Sequence, residues 1–240
     1  MKRQQGKAGP GQSGAEVKYY KRDFWGVENM KYAKPHFRML RAAEVVCEIA
    51  GRRECDLLDV GCGPAAVERL VPANVHYYGI DIAIQEPAPN LVEMDITESP
   101  IEFRGKKFEI ILMQGVFEYL GAYQEKKFAE LRDLLKPDGK FVVTYTNFSH
   151  RKRLIYGPYS NIQSPEQFRR ELSQYFVIER CFPTAYNWNH TYPTRKLITS
   201  LESKFRVNVP IIGVKLAMDH LYVCTARNYG PMDMPRRLGK

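Results

Sequence analysis

The sequence has no C-x-x-C pair, and its five cysteines, Cys47, Cys55, Cys62, Cys181 and Cys224, are odd in number. Neither a disulfide framework nor a zinc site is indicated by such spacing. No apolar run approaches the ~20 residues that span a bilayer, and Met1-Lys2-Arg3-Gln4-Gln5 has no apolar stretch behind it. A cytoplasmic, reducing location and no membrane partner are therefore expected. Internal repeats are also lacking. At 240 residues the chain suits one α/β domain with extensions and leaves little room for two independent domains. The net charge of +9 invites a nucleic-acid reading, but its distribution weakens that inference. Residues 1–18 carry four Lys/Arg against one Glu and residues 225–240 four against one Asp, so the tails hold +6 and the body +3. Charged tails attract anionic partners loosely and do not make a recognition footprint.

The chain is organised around Leu57-Leu58-Asp59-Val60-Gly61-Cys62-Gly63-Pro64-Ala65. This is an apolar run with an acid near its end and two glycines, leading into a helical segment, which reads as a buried strand turning sharply at a ligand site. Gly61 and Gly63 let the backbone take turn conformations and approach a ligand closely. With Ala66 they also satisfy the dinucleotide fingerprint, so the neighbours must decide. Asp59 puts a carboxylate at the turn and Pro64 deletes an N–H donor, both adverse to a pyrophosphate. A carboxylate attracts an ammonium or sulfonium, so the turn suits a cationic ligand without phosphates.

Asp81 closes a second strand-like run, Tyr77-Tyr78-Gly79-Ile80-Asp81, twenty positions after Gly61, where an acid suits a ribose diol. Met94-Asp95-Ile96 follows a third candidate strand, with a carboxylate for an adenine amino group and Ile96 to cover the ring. At these residues the sequence resembles class I S-adenosylmethionine-dependent methyltransferases, particularly those acting on small molecules, from about Leu57 to Thr146. The resemblance implies S-adenosyl-L-methionine as cofactor. It implies that Asp59, Gly61 and Gly63 cradle the methionine end, that Asp81 binds the ribose, and that Asp95 and Ile96 hold the adenine, with Cys62 and Ile82 as further cofactor contacts. It also implies a Rossmann-like, seven-stranded, mostly parallel sheet with helices on both faces and an antiparallel last strand.

The remaining segments fit that frame. Residues 1–17 read as a flexible tail, 18–228 as one domain with an N-terminal helical cover, and 229–240 as a basic tail. Tyr19-Tyr20 and Phe24-Trp25 resemble the aromatic N-terminal segment that closes over the cofactor in many such enzymes, with Tyr20 as the candidate contact. Pro35 opens a helix with a core stripe of Phe37, Leu40, Ala43, Cys47 and Ala50, ended by Gly51. Phe108–Met113 reads as the fourth strand, with Gln114 and the loop to Tyr119 bordering the methyl group. Phe128, Leu131, Leu134 and Leu135 form a helical stripe, Pro137-Asp138-Gly139 a turn, and Phe141–Tyr145 the fifth strand. Ser164-Pro165-Glu166-Gln167 starts a helix with an N-cap Ser and Pro at its first position. Phe176–Phe182 and Leu221–Cys224 are the last two strands, separated by an insertion at 183–219. Its part Tyr186–Tyr192 mixes aromatics with hydrogen-bonding groups, as a binding loop would.

Methyl transfer from a sulfonium is an in-line displacement, so few side chains are obligatory beyond those that align the reactants and remove a proton. Glu118, Tyr119, Tyr145, His150 and His190 project from the relevant strand ends. His190 and His150 are the candidate bases, because an imidazole titrates near neutrality. His150-Arg151-Lys152-Arg153 can hold a phosphate or carboxylate of an anionic acceptor. The Asp/Asn set that holds a metal in catechol-type methyltransferases is not apparent, so no metal is expected. The expected function is methylation of oxygen or nitrogen on a small molecule, such as a sugar or secondary metabolite. Alternatives are methylation of RNA or protein, or cofactor binding without turnover. The loop after the fourth strand has neither the Asn/Asp-Pro-Pro-aromatic run of base-amine methylases nor a Pro-Cys.

Overall fold

The computed structural model describes residues 22–35, 37–148, 162–185 and 219–227. Strands β1 (Cys55–Val60), β2 (Val75–Asp81), β3 (Leu91–Glu93), β4 (Phe108–Met113), β5 (Leu135–Thr146), β6 (Phe176–Ala185) and β7 (Asp219–Ala226) form one sheet in the order β3-β2-β1-β4-β5-β7-β6. From β3 to β5 every pairing is parallel, and β7 runs antiparallel to both β5 and β6. The chain works outward from β1 to β3 and then returns to β4 on the other side of β1. That reversal opens a crevice beyond the carboxyl ends of β1 and β4, where ligands of such sheets bind.

Successive residues of the central strands feed opposite faces. Leu58, Val60, Ile111, Met113 and Phe141 join one buried cluster, and Leu57, Ile110, Leu112 and Val142 join the other. The first face is covered by α3 (Gln124–Leu134) and α4 (Pro165–Tyr175) through Phe128, Leu131, Phe168 and Leu172. It is an aromatic layer, with Phe117 and Phe128 stacked at 4.5 Å and Tyr145 and Phe168 at 4.0 Å. The second face is covered by α2 (Phe37–Ala50) through Met39, Ala42, Ala43, Val45 and Val46. Burying each Leu- or Phe-sized side chain is worth ~1.5–3 kcal/mol, which holds these helices to the sheet.

Three local expectations are corrected. The buried stripe of α2 is displaced from the predicted one: Leu40 is 44% exposed and Cys47 half-buried, because the helix faces the sheet with its Met39-Ala42-Val46 side. Its end is as expected, with Gly51 at φ +58° and its N–H on the Cys47 carbonyl at 2.9 Å. Pro137-Asp138-Gly139 does not separate α3 from a later strand, since β5 already pairs Leu135 with Phe108 before the turn and resumes with Lys140 opposite Ile110. The turn is an irregularity inside the strand, with Asp138 at φ +62°. The last two strands reach further than predicted, to Ala185 and from Asp219, and 186–218 lie outside the described residues. On α4, Ser164 Oγ accepts from the Gln167 N–H at 3.1 Å, with Pro165 opening the helix.

Candidate functional site

The carboxyl ends of β1 to β5 converge on one pocket, roofed by the N-terminal segment. Its floor is the turn after β1. Gly61 has φ +78°, and a Cβ there would lie 2.3 Å from Val116 Cγ2, so both conformation and space demand glycine. Gly63 has φ +53°. Cys62, between them, is buried and packs under Gly79, and burial pushes its thiol well above the ordinary range. It is a packing thiol, far from the thiolate a nucleophile needs.

Asp81, at the end of β2, ties three elements together. Its Oδ2 accepts the Gly63 N–H at 2.7 Å, while Oδ1 accepts from the Ala83 N–H at 3.0 Å and Asn29 Nδ2 at 2.9 Å. Burial raises its pKa, and these donors pull it back down. Oδ2 retains capacity for a further donor, since a carboxylate oxygen accepts two. Asp59 is 2% exposed, and Tyr77 Oη donates to its Oδ2 at 2.9 Å. Burial pushes its pKa to about 7, opposed by the Tyr77 bond and increased by the charge of Asp81. After β3, Asp95 Oδ1 accepts from the N–H and hydroxyl of Thr97 at 2.8 and 2.7 Å, and Ile96 is buried beside it.

At the other end of the pocket, Gln114 follows β4 directly, and its Oε1 is buried without a hydrogen-bond partner. Glu118 lies in the next turn, 1% exposed, with Oε1 accepting the Thr146 N–H at 2.9 Å. Burial pushes its pKa to about 7, helped by Asp219 and opposed by hydrogen bonds from the backbone and Thr146. Arg38 of α2 also lines the pocket, and its Nη1 donates to Asp219 Oδ2 at 2.9 Å.

The roof is α1 (Arg22–Glu28) and the 3₁₀ turn Asn29–Tyr32. Arg22 pairs with Glu93 at 2.7 Å, Gln85 Nε2 reaches the Gly26 carbonyl at 2.9 Å, and Trp25 meets Tyr119 edge-on at 5.0 Å. The strap is thus pinned on both banks of the pocket.

Of the predicted contacts, Asp59, Gly61, Cys62, Gly63, Asp81, Ile82, Asp95, Ile96 and Gln114 line this one pocket. Tyr20, His150 and His190 lie outside the described residues, as does the basic run after His150. Sequence reasoning missed Asn29, Arg38 and Thr146, whose roles arise from contacts distant in the chain. It passed over Glu118 in favour of the histidines. Among the described residues, no three or more His, Cys, Asp or Glu are grouped as a metal site requires. No helix among them is long and apolar enough to cross a membrane.

A family model described as a methyltransferase domain matches residues 33–181, more than half of the chain. Comparison with curated proteins gave no match. Among solved structures, a chain from the complex between the Haloferax volcanii Trm112 methyltransferase activator and a methyltransferase aligns with TM-score 0.60 at 15% identity, covering 87% of this chain and 96% of that one. The CcbJ methyltransferase from Streptomyces caelestis gives 0.57 at 14%, covering 82% and 92%. The 1,6-didemethyltoxoflavin-N1-methyltransferase of Burkholderia thailandensis, solved with 1,6-didemethyltoxoflavin and S-adenosylhomocysteine, gives 0.54 at 14%, covering 85% and 84%. At these identities the likeness is one of fold.

Proposed function

The chain belongs to the methyltransferase-domain family, and from that premise we propose that it methylates a small-molecule acceptor in the pocket at the ends of β1, β4 and β5. It is an S-adenosylmethionine-dependent enzyme. The pocket suits that cofactor on its own chemistry. S-adenosylmethionine carries an ammonium, a sulfonium and a carboxylate, and the described lining offers Asp59, Asp81, Asp95 and Glu118 against the single guanidinium of Arg38. The glycine cradle at Gly61 and the unpartnered Gln114 Oε1 are further signs of a ligand-shaped space. When bound, the cofactor supplies a methyl carbon made electrophilic by its positive sulfur.

The roles of the side chains follow from their places. Asp59 with Gly61, Cys62 and Gly63 would hold the methionine end, where an ammonium stabilises the ionised form of Asp59. Asp81, beside Ile82, would take ribose hydroxyls on Oδ2, and Asp95 with Ile96 the adenine. Arg38 would face the carboxylate. Trp25 and the strap would exclude water, which strengthens every charge interaction beneath them.

The observation that carries the small-molecule reading is the Glu118 end of the pocket under its pinned roof, where Arg38 is the one cation among the described residues, since Asp59, Asp81 and Asp95 face the cofactor. Among the described residues a polyanion finds one guanidinium there, and a nucleic acid needs several cationic contacts. All five cysteines are free, consistent with a reducing, cytoplasmic setting. Methyl-labelled cofactor offered to RNA, to protein and to pooled small metabolites tests the reading. Label is expected in the small-molecule fraction, and incorporation into RNA alone would overturn it.

A further inference from the structure

Glu118 is the buried acid that the cofactor does not account for. It sits in the 3₁₀ turn Phe117–Tyr119 just beyond β4, and its Oε1 accepts the Thr146 N–H at 2.9 Å. Its Oε2 is buried in the pocket wall without a hydrogen-bond partner. Leaving a buried carboxylate oxygen unpaired is costly, more so if it is charged, so a fold keeps such a group when something else pairs it. The nearest described cation, Arg38, acts on Glu118 through its charge, while its close ion pair is with Asp219 at 2.9 Å.

We propose that Glu118 Oε2 is the recognition point for the methyl acceptor, and that the acceptor is a small molecule presenting an amine to it. This rests on the methyltransferase reading above and names its substrate class. A carboxylate oxygen can only accept, so the partner must donate, and an ammonium pairs with it most strongly. Trp25 and Tyr119, in edge contact with each other, line the same pocket, and aromatic faces attract cations. An acceptor carrying a phosphate or carboxylate at this point would meet Glu118 and Asp219 together. When the ammonium gives up a proton to Oε2, the electron pair of that N–H bond stays on nitrogen, which becomes the nucleophile.

The charged and titratable groups facing Glu118 are Asp219 at the start of β7, Arg38 on α2 and Tyr145 on β5. With its carboxyl at about 7, Glu118 is neutral in mild acid and ionised in mild base. Amine binding should therefore strengthen as pH rises from 6 to 8, over a range in which a simple alkylamine stays protonated.

The test uses the full chain saturated with S-adenosylhomocysteine and three matched probes, benzylamine, benzyl alcohol and benzoate, titrated by ligand-observed NMR. At pH 8 benzylamine should bind about 10-fold or more tighter than benzoate, and its affinity should weaken about 5-fold or more at pH 6. In Glu118→Gln, which keeps the shape and the Thr146 bond, the amine preference should fall to within about 3-fold and the pH dependence should flatten. A merely structural Glu118 would leave both intact in the variant. The proposal is overturned by benzoate binding as well as benzylamine, by no benzylamine binding at all, or by a preference that survives in Glu118→Gln. It is equally overturned if the variant loses affinity for S-adenosylhomocysteine while keeping the probe preference, since Glu118 would then serve the cofactor. Failure of the wild type to bind S-adenosylhomocysteine by calorimetry would instead refute the methyltransferase reading itself.

Discussion

Asp59→Asn should make the ligand-free protein more stable and the cofactor complex weaker, and the stability gain should appear only above mildly acidic pH. Asp59 titrates at about 7 in the folded chain against ~3.9 when unfolded. Between those values the folded state holds a proton that the unfolded state has lost, so stability falls as pH rises from ~4 to ~7. By pH 8 the buried charge costs on the order of 4 kcal/mol, taking ~1.4 kcal/mol for each tenfold difference in proton affinity. Asparagine is isosteric, never ionises, and still offers an oxygen to the Tyr77 hydroxyl. Allowing for the imperfect pairing of its NH2, the variant should gain ~2–3 kcal/mol at pH 8 and nearly nothing at pH 4.5. For a chain of this size that is a Tm rise of roughly 4–12 °C. Glu118 titrates at about 7 as well and remains in the variant, so a smaller decline with pH should persist. Urea melts at pH 4.5, 6, 7 and 8 provide the stability curve. Calorimetry at pH 8 should show S-adenosylmethionine weakened by ~1.5–3 kcal/mol, the worth of a charge-assisted hydrogen bond. A variant less stable than wild type at pH 8, or shifted equally at pH 4.5 and pH 8, would refute the reasoning that burial raises this acid.

Gly61→Ala should abolish cofactor binding and cost ~1–3 kcal/mol of stability, because the φ of +78° is strained for alanine and its Cβ would press on Val116. Near wild-type affinity in calorimetry would show that the turn yields more easily than its geometry indicates. Asp81→Ala should weaken S-adenosylmethionine and S-adenosylhomocysteine alike by ~1–3 kcal/mol, since a ribose contact ignores the charge on sulfur. It should also increase hydrogen exchange around Asn29, whose amide loses its 2.9 Å bond and is left with a 3.5 Å one to the Ala83 carbonyl. Loss of one cofactor form without the other would place Asp81 nearer the sulfur than the ribose.

The parts of the site legible in the sequence are those encoded locally. The glycines after β1 and the acids ending β1 and β2 sit at fixed distances along the chain, and the sheet brings neighbouring strand ends together whenever its order is right. Asn29 and Arg38 were opaque for the opposite reason. Asn29 acquires its role from Asp81, 52 residues on, and Arg38 from Asp219, 181 residues on. Glu118 was visible as a candidate, but nothing near it in the sequence shows that β5 covers one oxygen and leaves the other bare. The stripe of α2 was misplaced because its small apolar residues, among them Ala42, Ala43, Val45 and Val46, leave the helical phase weakly marked. Larger side chains at one phase would have decided it.

The position of β7 has a consequence for how the molecule assembles. In the sheet β6 touches only β7, and β7 follows it in the chain yet lies between it and β5. Until β7 arrives, β6 has no strand to join, and the edge of β5 stands open with its N–H and C=O groups unpaired. The sheet therefore cannot be completed in order of synthesis. Its closing step is a late insertion that zips two antiparallel ladders at once, a non-local event of the kind that slows folding. Asp219 opens β7 and brings its carboxylate to Arg38 and Thr146, so the same step finishes the Glu118 end of the pocket. An intermediate lacking β7 would present an adhesive edge and an unfinished pocket together, which makes this the point at which the nascent protein is most exposed to aggregation.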